Sequence, residues 1–138
     1  MILPPQQTVD SIGEVLTKII DFTQMRQQII INNIHNTHNA HFVPKDLPVK
    51  EFSSSLNGAI NEYILSRRLL FSDTENIRFG KGGSFKVKAE ADNYAKQLHS
   101  NNPDEYFEFQ IYKLLENSLN QRVAAELLKQ KTERDFSF

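Results

Sequence analysis

The stretch "RQQIIINNIHNTHNAHFVPKDL", residues 26–47, decides how this chain is read. Three isoleucines, Ile29 to Ile31, run into an amide- and histidine-rich segment that Pro44 closes. Proline disfavours helical backbone at the residue before it, so a helix entering through the isoleucines must stop short of Val43. Three readings compete: a metal site, the polar end of a helix, or the signature of a known module. His35, His38 and His41 recur at i, i+3 and i+6, which puts two on one helix face and the third off it. No His-Glu-x-x-His pattern and no fourth ligand in register accompanies them, so helix-end polar residues are the simpler reading. No metal or other cofactor is expected.

Upstream, "TVDSIGEVLTKIIDFTQMRQQIIINNIHN" has a helical period. Ile12, Leu16, Ile19, Phe22 and Ile29 fall three, four or seven apart, and Val15, Ile20, Ile30 and Ile34 widen the stripe. The spacing predicts a helix over 8–36, capped by Thr8 or Asp10 and roughly 40 Å long. So long a helix in so short a chain points to a coiled-coil or bundle seam.

Downstream, Pro44 and Pro48 mark a loop. "VKEFSSSLNGAINEYILSRRLL", residues 49–70, gives a shorter helix, with Phe52, Leu56, Ile60 and Ile64 four apart. Asn57-Gly58 inside it also reads as a turn. Gly80, Gly82 and Gly83 separate Ile77-Arg78-Phe79 from the alternating Phe85-Lys86-Val87, which suits a small β-hairpin or a glycine-rich loop. The last helix, over 102–134, has Asn102 as cap, Pro103 in the first position and Asp104 and Glu105 in the first turn. Phe107, Ile111, Leu114, Leu115, Leu119, Val123 and Leu127 form its stripe. The expected fold is therefore mainly α, a single domain over 1–138. Its long terminal helices pair as a bundle around a middle region, 37–101.

Composition narrows the function. Sixteen basic and seventeen acidic residues leave a net charge of −1, balanced in both halves, so no basic field is available for nucleic acid. No apolar run reaches the ~18–20 residues that cross a bilayer, so no direct membrane insertion is expected. "MILPPQQTVD" lacks the basic and apolar regions of a cleaved leader. There is no cysteine. Twelve asparagines and nine glutamines give an amide-rich surface that can be covered by protein at low desolvation cost. "FGKGGS", residues 79–84, is not a phosphate loop, because the Gly-x4-Gly-Lys-Ser/Thr spacing is missing. The acidic residues at the last helix start serve its dipole, and no Ser/His/Asp set has motif support, so no enzyme is expected.

The opening stretch resembles the N-terminal signature of bacterial flagellar basal-body rod proteins, the proximal-rod (FlgB-like) type in particular. Arg26-Gln27, Asn33-Ile34, Asn36, the aromatic Phe42, Lys45 and Asp46-Leu47 fall without a gap where that signature places such residues. Its Thr-Pro-Gly turn is replaced here by Asn39-Ala40-His41, so the helix is expected to end differently. "FEFQIYKLLENSLNQRVAAELLKQK", residues 107–131, is similar to the family's ending through Glu108, Glu116-Asn117, Leu119, Ala124-Ala125 and Leu127-Leu128. The resemblance implies a non-catalytic structural subunit, exported uncleaved by the flagellar type III apparatus and built into the periplasmic rod beside copies of itself and other basal-body subunits. The expected assembly residues are Ile12, Leu16, Ile19, Phe22, Ile29, Asn33, Ile34, Asn36 and Phe42, with Ile111, Leu115, Asn117, Leu119, Val123 and Leu127. A helical adaptor or chaperone-like protein-binding module would use the same amphipathic ends on other partners.

Overall fold

The computed structural model describes residues 4–80 and 84–135, with the side chains of 11–80 and 84–134. The fold is mainly helical. Helix α1 (Pro4–His35) and helix α4 (Pro103–Asp135) dominate it. At ~1.5 Å per residue each is about 50 Å long. α1 begins at Pro4, ahead of the expected Thr8 or Asp10 cap, because a proline is tolerated in the first helical turn. α4 starts as read: the Asn102 side chain accepts from the Glu105 amide (3.2 Å) and donates to the Glu105 carboxylate (3.1 Å), a reciprocal cap.

The two helices run antiparallel over nearly their whole length. Asn33 meets Tyr106 and Gln110, Thr23 meets Asn117, and at Gly13 an added Cβ would touch Leu128 and Lys131. The face α4 turns to α1 is not its apolar stripe. It carries Tyr106, Gln110, Asn117 and Ala124, all buried, whereas Leu115, Leu119, Val123 and Leu127 are exposed. The expected pairing of the terminal helices is present, but its seam is polar and aromatic.

Helix α2 (Val49–Ser66) follows the loop and passes straight through Asn57-Gly58, against the turn reading. Both residues are exposed, and burial of Phe52, Leu56 and Ala59 holds the helix through the glycine. The helix stops at Arg67, left-handed at φ 62°, whose amide bonds back to the Tyr63 carbonyl (2.8 Å). Strands β2 (Ile77–Phe79) and β3 (Phe85–Val87) form the expected antiparallel hairpin, with Phe79 opposite Phe85. Its tip at Lys81, Gly82 and Gly83 lies outside the described residues.

The main apolar core is Phe22, Leu47, Phe52, Leu56 and Ile77. Phe22 stacks on Phe52 at 4.0 Å, and a row of rings continues through Phe85 and Phe79 to Phe71, tying the hairpin to α1 and α2. The Lys18 ammonium lies over the Phe71 ring at 4.8 Å and near Phe79 and Phe85, so a cation otherwise costly to bury rests on aromatic faces. Three elements went unread in the sequence. Strand β1 (Lys45–Asp46) pairs with β4 (Glu90–Ala91), and the short helix α3 (Asn93–Asn101) is capped by the Asp92 side chain on the Ala95 amide.

Candidate functional site

The opening stretch turns out to be a lock. The Asn33 side chain treats the Lys45 backbone as a neighbouring strand would: Nδ2 donates to the Lys45 carbonyl (2.8 Å) and Oδ1 accepts from its amide (3.2 Å). Nδ2 also donates to Gln110 Oε1 on α4 (3.1 Å). Carbonyls at and just past the end of α1 are met from the C-terminal half of the chain. Tyr106 donates to the Asn33 carbonyl (2.8 Å), and His99 Nε2 lies 2.9 Å from the Asn36 carbonyl. A carbonyl only accepts, which places a proton on that ring nitrogen. Burial, and then the negative charge of Asp92, pushes the Tyr106 hydroxyl up to about 12.

Two turns earlier in α1, Arg26 holds both Asp46 oxygens at 2.8 and 3.0 Å. Lys113 of α4 reaches the same carboxylate at 2.9 Å and Asp92 at 2.6 Å. Burial raises the Asp46 carboxyl, and the hydrogen bonds and charges of Arg26 and Lys113 overcome that and hold it below its ordinary value. Further along, Asn117 donates to the Thr23 carbonyl (2.7 Å), and the threonine hydroxyl bonds back onto its own helix. Asn33, Asn117, Arg26 and Asp46, residues of the two motifs, thus hold the chain to itself. Asn36 differs: its side chain bonds only to Asn32 and Asn39 within the same turn. Phe42 tilts against His99, and Ile34 is half-buried.

The remaining expected residues divide into a core and an open surface. Phe22 is buried, and Ile19 and Ile29 pack against the core it belongs to. A groove of about 430 Å³ runs between α1, α2 and α4, with Leu16 and Ile19 on its floor, Phe52 and Leu56 on one wall and Val123 and Leu127 on the other. A smaller apolar furrow of about 220 Å³ continues it past Ile12 and Leu16 towards Tyr63. Beside the groove, the α4 stripe of half-buried Ile111 and exposed Leu115, Leu119, Val123 and Leu127 has no partner element over it among the described residues. Contiguous apolar surface of this kind marks a contact site for protein more often than ordinary solvent-facing surface.

His99, Tyr106, Gln110, Lys113 and Asp92 were missed in the sequence. Tyr106, Gln110, Lys113, Asn117 and Ala124 recur at four, three, four and seven, so a heptad search that admits polar residues would have found the seam. His35, His38 and His41 are exposed, and among the described residues no three His, Cys, Asp or Glu side chains gather as a metal would require. Among those residues, too, no helix is long and apolar enough to cross a membrane. The chain matches no family model, no curated protein sequence and no solved structure.

Proposed function

We propose that the chain is a structural subunit that assembles with copies of itself, of the kind found in the proximal rod of the bacterial flagellum. The observation that carries this reading is the division of labour on α4. Its polar seam binds α1 of the same chain, which leaves an apolar stripe of four exposed side chains and an adjoining groove for another molecule. A catalytic surface needs convergent reactive groups in a concave site. Here the buried polar groups instead pair with one another along the seam. The signature at 26–47 and the ending at 107–131 supply the rod assignment.

The test is cellular. Deleting the gene in the source bacterium should abolish swimming, and a tagged chain should co-purify with detergent-extracted basal bodies with its N-terminus uncleaved. Full motility of the deletion strain, or absence of the chain from those basal bodies, refutes the rod assignment.

A further inference from the structure

The stripe on α4 has a geometry of its own. Ile111, Leu115, Leu119, Val123 and Leu127 recur every fourth residue, so the row winds about 40° per step around the helix instead of running along it. Two such rows interdigitate when their helices cross at about −50°, a short contact unlike the long shallow seam of a heptad repeat. Leu119, 61% exposed, sits at the centre of the row. At 100° per residue, Glu116 lies roughly 60° to one side of Leu119 and Arg122 roughly 60° to the other, each about 4.5 Å along the axis. Both are exposed, and among the described residues neither makes an ion pair.

We propose that this stripe seats a second copy of the chain, its α4 running parallel and crossing at Leu119. Charge decides the direction. In a parallel pair opposite flanks meet, so Glu116 of each copy faces Arg122 of the other, twice. In an antiparallel pair like flanks meet, Glu116 against Glu116 and Arg122 against Arg122, which is unfavourable twice. The hand of the crossing also carries the C-terminal half of each α4 from Leu119 towards Val123 and Leu127 of the other. It thereby passes over the groove that these residues share with Phe52 and Leu56. The proposal rests on the assembly reading for the identity of the partner, and a parallel contact keeps all copies pointing one way, as a rod requires.

Sedimentation equilibrium of the full chain at low ionic strength tests it. The wild type should associate with concentration. Leu119→Glu should weaken association about a hundredfold, with the far-ultraviolet circular dichroism unchanged because the residue is exposed. Glu116→Arg and Arg122→Glu should each weaken it about fivefold, and the double reversal should return to within about twofold of the wild type. A chain that stays monomeric up to roughly millimolar concentration, or association indifferent to Leu119→Glu, overturns the contact. So do single reversals without effect, which is the antiparallel result, since each leaves like charges facing like. The charge pattern in a chain absent from basal bodies would sink the rod assignment alone; a chain in basal bodies without the pattern would sink the contact alone.

Discussion

Asn33→Ala is the substitution that tests the lock most directly. The side chain is 1% exposed and makes three hydrogen bonds, two to the Lys45 backbone and one to Gln110 Oε1. Gln110 is itself fully buried, and among the described residues its Nε2 has no hydrogen-bond partner. Alanine removes the partner of its oxygen as well. Each bond contributes ~0.5–1.5 kcal/mol net, and a buried group left unpaired costs ~1–3 kcal/mol, so the expected loss is about 3–5 kcal/mol. That is a large fraction of the ~5–15 kcal/mol that holds a domain together. Urea unfolding followed by circular dichroism at 222 nm measures it, with Asn36→Ala as control. Asn36 belongs to the same motif three residues on, but its side chain bonds only within its own turn, and its carbonyl keeps its bond to His99 whatever the side chain. The control should lose under ~1 kcal/mol. Equal losses for the two variants, or a loss below ~1 kcal/mol for Asn33→Ala, would refute the reasoning.

Lys113→Met leaves Asp46 with Arg26 alone and strips Asp92 of its ion pair, and a loss of about 2–4 kcal/mol in a thermal melt is expected; a change under ~1 kcal/mol would show that the cluster does not hold the elements together. Acid should weaken the fold through Asp46 and Glu51. Arg26 and Lys113 hold the first below 3.8 against burial, and hydrogen bonds from Thr74 and then Asn76 hold the second below 4.5. The unfolded chain therefore takes up protons at these two groups that the folded chain refuses, so their contribution to stability is level above pH about 5 and falls as the pH drops through and below these values. Asp46→Asn should flatten that decline in urea midpoints measured from pH 6 to 3, and an unchanged slope would remove Asp46 from the account.

Wherever the determining interaction is local, the sequence could be read. The period of α1, the Asn102-Pro103 start of α4 and the hairpin around Gly80 each depend on residues within a few positions of one another. Asn57-Gly58 carries a local turn signal that the expected helix overrides, for the converse reason. Its turn propensity is worth about 1 kcal/mol, less than burying Phe52, Leu56 and Ala59 against elements the sequence does not place. Strands β1 and β4 are two residues each, too short to show an alternation, and Lys45 finds Ala91 only once the loop has folded back. The candidate site was legible as a list of apolar positions with three asparagines, Asn33, Asn36 and Asn117. Their separation into core residues such as Phe22 and surface residues such as Leu119 was not.

By itself the sequence determined that there are two long terminal helices, where α4 starts, and that the chain between them holds a shorter helix and a hairpin, although α1 begins ahead of its expected cap. Backbone propensity, capping and hydrophobic period act within a turn or two. Only the tertiary structure decided which side of α4 faces inward. That helix carries two stripes, an apolar row at every fourth residue and a polar-aromatic row at Tyr106, Gln110, Lys113 and Asn117. Hydrophobicity alone would bury the first. The second is buried because α1 offers it the Asn33 and Thr23 carbonyls and β1 offers Asp46, partners without which the row's own buried polar groups would be left unpaired away from water.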